Sequence, residues 1–109
     1  MKEIKAFVHR NRVADIIHGL RNADFCRGVC NLSVADVAGM LKAIDSNEKC
    51  FSIEMGEEVI YEVKLELVCE NERIEEAVQI IIDNARTGQE IAGWIYVYNV
   101  ESSYAIEPG

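Results

Sequence analysis

The sequence predicts an α+β fold, a ferredoxin-like βαββαβ sandwich with two helices on one face of an antiparallel sheet. Three observations carry that prediction. Val59, Tyr61, Val63, Leu65 and Leu67 alternate with Ile60, Glu62, Lys64, Glu66 and Val68, the period of two expected of a strand with one buried face. Val13, Ile16, Ile17 and Leu20, and later Ile74, Val78, Ile81, Ile82 and Ala85, recur at helical spacing, so each set makes one apolar stripe. Trp94 to Val100 is rich in aromatic and β-branched residues and follows a glycine-containing turn, as a strand after a helix end would.

Taken in order, Ile4, Ala6 and Val8 alternate with Lys5, Phe7 and His9 in a first strand. Asn11 has the side chain of an N-cap, so a helix is expected over 12–23. A turn at 24–28 leads to a second strand over 29–37. The segment 39–58 is irregular. Met40 to Ile44 has the propensity for a short helix, and Asp45 to Lys49 reads as an exposed turn. A loop of this length in a compact domain is functional or disordered; here it is expected to project and to touch a partner. The third strand, over 59–68, precedes Asn71, which is expected to cap the second helix. Gly88 falls where that helix would stop, a place suited to the left-handed conformation. The turn 87–93 then enters the fourth strand, and 102–106 is expected to add a short edge strand. The sheet face away from the helices would carry Phe7, Ile60, Val68, Tyr96 and Tyr98, enough apolar surface to predict burial against other subunits. The order of elements implies one domain over 1–109.

Composition narrows the function. Half of the 109 residues are apolar and one is proline, which is a globular composition. The net charge of −8 argues against nonspecific nucleic-acid binding and against docking on an anionic membrane. No apolar run approaches the ~20 residues of a membrane span. Met1 to Lys5 has no apolar signal region, so a cytoplasmic location is expected. Of the four cysteines, Cys26 and Cys30 lack the two-residue spacing of a zinc ribbon or redox helix. Buried or loop thiols are the simplest reading; a metal or redox sensor built on Cys26, Cys30 and His18 is the sharper one. His9 and His18 are the near-neutral bases, and neither stands in a nucleophile or phosphate-loop motif. His9 with Arg10 could meet an anion at a subunit edge. Trp94 reads as a core or interface aromatic rather than an adenine platform. Catalysis is not expected.

The residues also resemble a known family, the PII nitrogen-regulatory signalling proteins. Met1-Lys2-Glu3-Ile4-Lys5-Ala6 is similar to that family's first strand. Val34-Ala35-Asp36-Val37-Ala38-Gly39 is similar to its V-x-E-V-x-G segment before the T-loop, and Val63-Lys64-Leu65-Glu66-Leu67-Val68 to the strand after that loop. Ala85-Arg86-Thr87-Gly88 is similar to the A-x-T-G of its B-loop. The resemblance covers the whole chain. It implies a homotrimer, ligand sites in the clefts between subunits, and a T-loop over 39–58 that meets a target protein such as a transporter or enzyme. It places the ligand near Gly39, Lys42, Thr87, Gly88, Gln89 and Gly93.

Departures from the family pattern are equally specific. The nucleotide turn T-G-x-x-G-D-G-K has Ile91 at a glycine and Trp94 at the lysine. Ala105 and Glu107 stand where arginines meet phosphates. Ala43 replaces a glutamine at the Mg-ATP and 2-oxoglutarate site, Glu62 a lysine near the 2-oxoglutarate carboxylate, and Met55 a modified tyrosine. A triphosphate needs cations and close amides. The expected ligand is therefore ADP or AMP rather than Mg-ATP, another anion, or none. The alternative is a metal- or redox-responsive trimer using the cysteines, similar to the divalent-cation tolerance proteins. A ferredoxin-like enzyme of acylphosphatase type would need a glycine-rich loop around Arg10 and Asn11, and the sequence has none there.

Overall fold

The computed structural model describes residues 1–25 and 31–109. Its elements are β1 (Lys2–Val8), α1 (Val13–Asn22), β2 (Leu32–Gly39), β3 (Lys49–Ser52), β4 (Glu57–Cys69), α2 (Ile74–Ala85) and β5 (Trp94–Asn99). The strands form one antiparallel sheet in the order β2-β4-β1-β5, and β3 pairs with β4 as well. This is the predicted ferredoxin-like architecture with one strand added. Cys26 and Cys30, and the first residues of the expected second strand, lie outside the described residues.

The core lies between the sheet and the two helices. Ile4, Ala6 and Val8 of β1 and Val63, Leu65 and Leu67 of β4 point to that side. Ile16 and Leu20 of α1 and Ala77 and Ile81 of α2 meet them, and all ten are buried. Burying each large aliphatic chain contributes about 1.5–3 kcal/mol. Strand alternation and helical periodicity thus converge on one set of residues.

Several local expectations are corrected. Asn11 and Asn71 do not cap helices with their side chains. Each lies in a short 3-10 turn, Arg10–Arg12 or Asn71–Arg73, that leads into its helix. There the amides of Arg12 and Arg73 bond the carbonyls of His9 and Glu70, both at 3.0 Å, so a backbone turn does the work of a cap. The helix expected at Met40 to Ile44 does not form; instead Ser46–Glu48 makes a 3-10 turn and 49–60 a hairpin. No strand forms at 102–106, and Tyr104 and Ile106 are exposed. Gly88 has φ +89°, but α2 has already ended at Ala85, and Arg86 is extended. Tyr61 shares the side of Val63, Leu65 and Leu67, yet it is exposed because the buried cluster ends at Val63.

Candidate functional site: crossover, turn and open sheet face

The strand register sets out the face away from the helices. Phe7 of β1 lies opposite Trp94 of β5 and Lys64 of β4, and Lys5 lies opposite Tyr96 and Glu66. The Phe7 and Tyr96 rings meet edge to face with centroids 6.0 Å apart. Trp94, Tyr96 and Tyr98 are about half exposed. Trp94 is therefore a residue of the open face, not of the core. Lys5 bonds Glu66 at 3.1 Å and approaches Glu3 at 3.5 Å. The Glu66 hydrogen bond holds the Lys5 ammonium above its usual value, with both carboxylates adding to it against partial desolvation.

The segment after β2 crosses this face. Ile60 lies opposite both Gly39 of β2 and Lys49 of β3, so those strands flank β4 on opposite sides. Residues 40–48 carry the chain from one side to the other. Side chains pin them on the way. Glu62 accepts a hydrogen bond from the Leu41 amide at 3.2 Å. Glu48 accepts one from the Ile44 amide and holds His9 Nδ1 at 3.2 Å. A Cβ at Gly39 would lie 2.1–2.4 Å from the Glu62 carboxylate, so only glycine there leaves the acid its place.

His9 and Glu62 are 1% and 6% exposed. Sequence alternation placed Glu62 on the sheet face away from the helices, and the crossover of the same chain that covers it is a long-range feature. His9, which with Arg10 was expected to meet an anion at a subunit edge, faces the Glu48 carboxylate of its own chain, and Arg10 bonds Asp36. Burial lifts the Glu62 carboxyl above its usual range, although the Leu41 amide and the His9 charge oppose this. Burial pushes Glu48 the same way, but the Ile44 amide and His9 outweigh it and leave Glu48 below its usual value.

These two acids act oppositely with pH. Glu48 contributes stability that is present above its ordinary value of 4.5 and is lost as pH falls through its lower folded value. Glu62 contributes stability that is full below 4.5 and is lost as pH rises through its raised folded value. Glu62→Gln keeps an acceptor for the Leu41 amide and removes the charge. The expected variant is more stable than the parent at neutral pH, by about 1 kcal/mol. Urea titrations across about pH 4 to 8 should show a flatter profile just above 4.5. A loss of stability at neutral pH would mean that the Glu62 charge is satisfied within the fold.

The turn 87–93 meets the crossover from the other side. Gln89 Nε2 donates to the carbonyls of Lys42, at 2.9 Å, and Ala43, at 3.3 Å. The Thr87 hydroxyl donates to Gln89 Oε1 at 2.7 Å, and the Gln89 amide donates to Thr87 Oγ1 at 3.3 Å. Lys42, Thr87 and Gln89 are thus one connected group. A cavity of about 330 Å³ lies between turn and crossover, with Met40, Lys42, Gln89, Glu90 and Trp94 in its wall. A larger one of about 600 Å³ runs under the turn beside Ile82, Arg86, Ile91 and Ile95. A Cβ at Gly93 would meet the Phe7 carbonyl oxygen, so the turn passes directly over β1. Gly39 lies apart from the Lys42–Thr87–Gln89 group, against Glu62.

The charges around the turn do not fit a triphosphate. Lys42 is exposed, and Arg86 is held 3.6 Å from Asp83. Glu90 shares both cavities, and the Gln89 amide is already used. Two cations beside an acid do not match a ligand that needs several charge-assisted bonds. Cys50 and Cys69 are free thiols, half-buried, and burial raises the Cys69 thiol, with Glu70 adding and Arg73 opposing. Among the described residues no group of three or more His, Cys, Asp or Glu could hold a metal ion, and His18 is exposed. No described helix is long and apolar enough to cross a membrane.

Comparison with known proteins agrees with this geometry along its whole length. The family model described as Nitrogen regulatory protein P-II matches residues 1–109. The chain is 28% identical to the nitrogen regulatory protein P-II of Haemophilus influenzae, covering 100% of this chain and 94% of that one. It is 28% identical to nitrogen regulatory protein P-II 1 of Methanothermobacter thermautotrophicus, covering 100% and 91%. Over 75 residues it is 39% identical to the P-II protein of Cyanidium caldarium, covering 69% of this chain and 66% of that one. With its two-helix sandwich, its long segment between β2 and β4 and its glycine turn before β5, the chain belongs to the nitrogen regulatory protein P-II family.

Proposed function

We propose that this chain is a cytoplasmic homotrimer that senses a small ligand in the clefts between subunits. It controls a partner protein through the segment 39–58 and catalyses no reaction. The observation that carries this reading is the Gln89 side chain. It joins the turn 87–93 to the carbonyls of Lys42 and Ala43 at the root of that segment. A ligand at the turn that takes Gln89 or Thr87 for itself releases the root, and shifts the segment by its differential affinity for the two arrangements. The trimer is supported by the half-exposed aromatic row of the open face, which other subunits would cover. Partner docking is supported by the hairpin tip, where Phe51, Ile53 and Met55 are exposed beside Glu54, Glu57 and Glu58. An apolar site with a basic rim suits that tip.

The test is a calorimetric titration of reduced, metal-free protein with ADP, AMP and ATP, with and without magnesium. Saturable binding of ADP or AMP near one site per subunit is expected, with ATP weaker. Absence of heat with all of them at millimolar concentrations removes the nucleotide version. Hydrogen exchange supplies a second prediction. Gln89→Ala is expected to speed amide exchange over 40–48 by about fivefold, the loss of one hydrogen-bond contribution of about 1 kcal/mol. Unchanged exchange there would disconnect turn from crossover.

A further inference from the structure

We infer that the buried His9 imidazole is a proton-operated clasp for the crossover. Charged, it holds the Glu48 and Glu62 carboxylates together and fastens residues 40–48 to the sheet; neutral, it lets them loosen. Val8 lies opposite Val63, so the next pair of positions sets His9 opposite Glu62 across β1 and β4. The crossover brings in Glu48, whose carboxylate lies 3.2 Å from His9 Nδ1. Each acid also holds an amide of the crossover, Glu62 that of Leu41 and Glu48 that of Ile44. The group is closed over by its own chain, so it needs no free face.

A neutral imidazole has one N–H donor. Glu48 is held ionised and only accepts, so Nδ1 carries the proton. Nε2 is buried and has no hydrogen-bond partner among the described residues. Two carboxylates then share a covered space with one imidazole donor, which is unfavourable. Protonation makes Nε2 a second donor, with Glu62 as the acid opposite, and gives both carboxylates a cation. Among the described residues, His9 is the cationic side chain whose charge acts on both acids. Other charges are committed or exposed. Arg10 bonds Asp36 at 2.8 Å, and Arg12 bonds Asp15 at 2.9 Å and the Asn84 carbonyl at 2.8 Å. Lys5 and Lys64 contact Glu66, at 3.1 and 3.3 Å. Lys42 and Asp45 of the crossover are exposed, and Lys49 of β3 lies 4.0 Å from Glu58. The clasp does not depend on the sensor reading; its effect on a partner docked at segment 39–58 rests on that reading.

The test is amide exchange and an NMR titration of the purified protein from about pH 5 to 8, the range in which an imidazole changes charge. The His9 ring signals and the Leu41 and Ile44 amide signals are expected to move with one midpoint. Protection over 40–48, corrected for the intrinsic pH dependence of exchange, is expected to be roughly tenfold higher at the acid end. His9→Gln, which keeps a donor for Glu48, is expected to remove that difference. His18→Gln, on the exposed side of α1, is expected to keep it. Separate midpoints for the ring and the two amides, or equal protection at both ends, overturn the proposal. Both are read in the parent chain, so they stand if His9→Gln fails to fold. A difference that persists in His9→Gln assigns the proton to Glu62 and overturns it too. Nucleotide titration of the same preparation separates the two readings. Nucleotide binding with pH-independent protection removes only the clasp, and the reverse removes only the nucleotide version.

Discussion

Gly93→Ala is expected to be the most damaging small substitution in the chain, destabilising it by about 3 kcal/mol. Its new Cβ would lie 2.2 Å from the Phe7 carbonyl oxygen, 3.3 Å from that carbonyl carbon and 3.5 Å from the Val8 Cα. All three are backbone atoms, so no rotamer change relieves the clash. Trp94, the next residue, is paired with Phe7, so the start of β5 must lift from β1. The midpoint of thermal unfolding is expected to fall by about 10–20 °C at fixed protein concentration. Gly88→Ala is the control. Gly88 has φ +89° with nothing within 4 Å of the added carbon, so it loses only the conformational preference, about 1–2 kcal/mol. If Gly93→Ala proves no worse than Gly88→Ala, the close approach of the turn to β1 is wrong.

Tyr96→Glu is expected to break the proposed trimer. Tyr96 is 45% exposed in the single chain and sits in the centre of the aromatic row, opposite Lys5. Lys5 is already engaged by Glu66 and Glu3, so the new carboxylate gains little from it. Desolvating that charge in an interface costs several kilocalories, which weakens association by roughly a hundredfold or more. Light scattering should then report the single-chain mass at micromolar concentration. The far-ultraviolet circular dichroism should be retained, because Ile4, Leu65, Ile81 and the rest of the core lie on the other side of the sheet. A trimer that survives this change would place the interface elsewhere.

The sandwich was legible in the sequence because its signals are periodic and local. The alternation through Val63, Leu65 and Leu67 and the stripes through Ile16, Leu20 and Ile81 each select the face that becomes the core. The candidate site was legible only through the family resemblance, which singled out Lys42, Thr87 and Gln89; hydrogen bonds through Gln89 connect the three. Gly39 and Gly93 were also singled out, yet what a side chain at each would meet lies far along the chain, the Glu62 carboxylate or the Phe7 backbone. The capping role given to Asn11 and Asn71 failed because a 3-10 turn satisfies the same amides through the backbone.

What the sequence by itself determined is the order of the two helices and the four strands of the sandwich, the face each one buries, and the glycine turn before the last strand. These depend on spacings of two and three to four residues, which neighbouring positions impose on each other. What only the tertiary structure decided is the path of residues 40–48 across β4 and its consequences: the buried Glu62, the His9–Glu48 contact and the Gln89 bridge. Each joins residues at least 21 positions apart, where no local period reaches. Burial of an acid depends on which segment comes to lie over it, and only the closed fold supplies that segment.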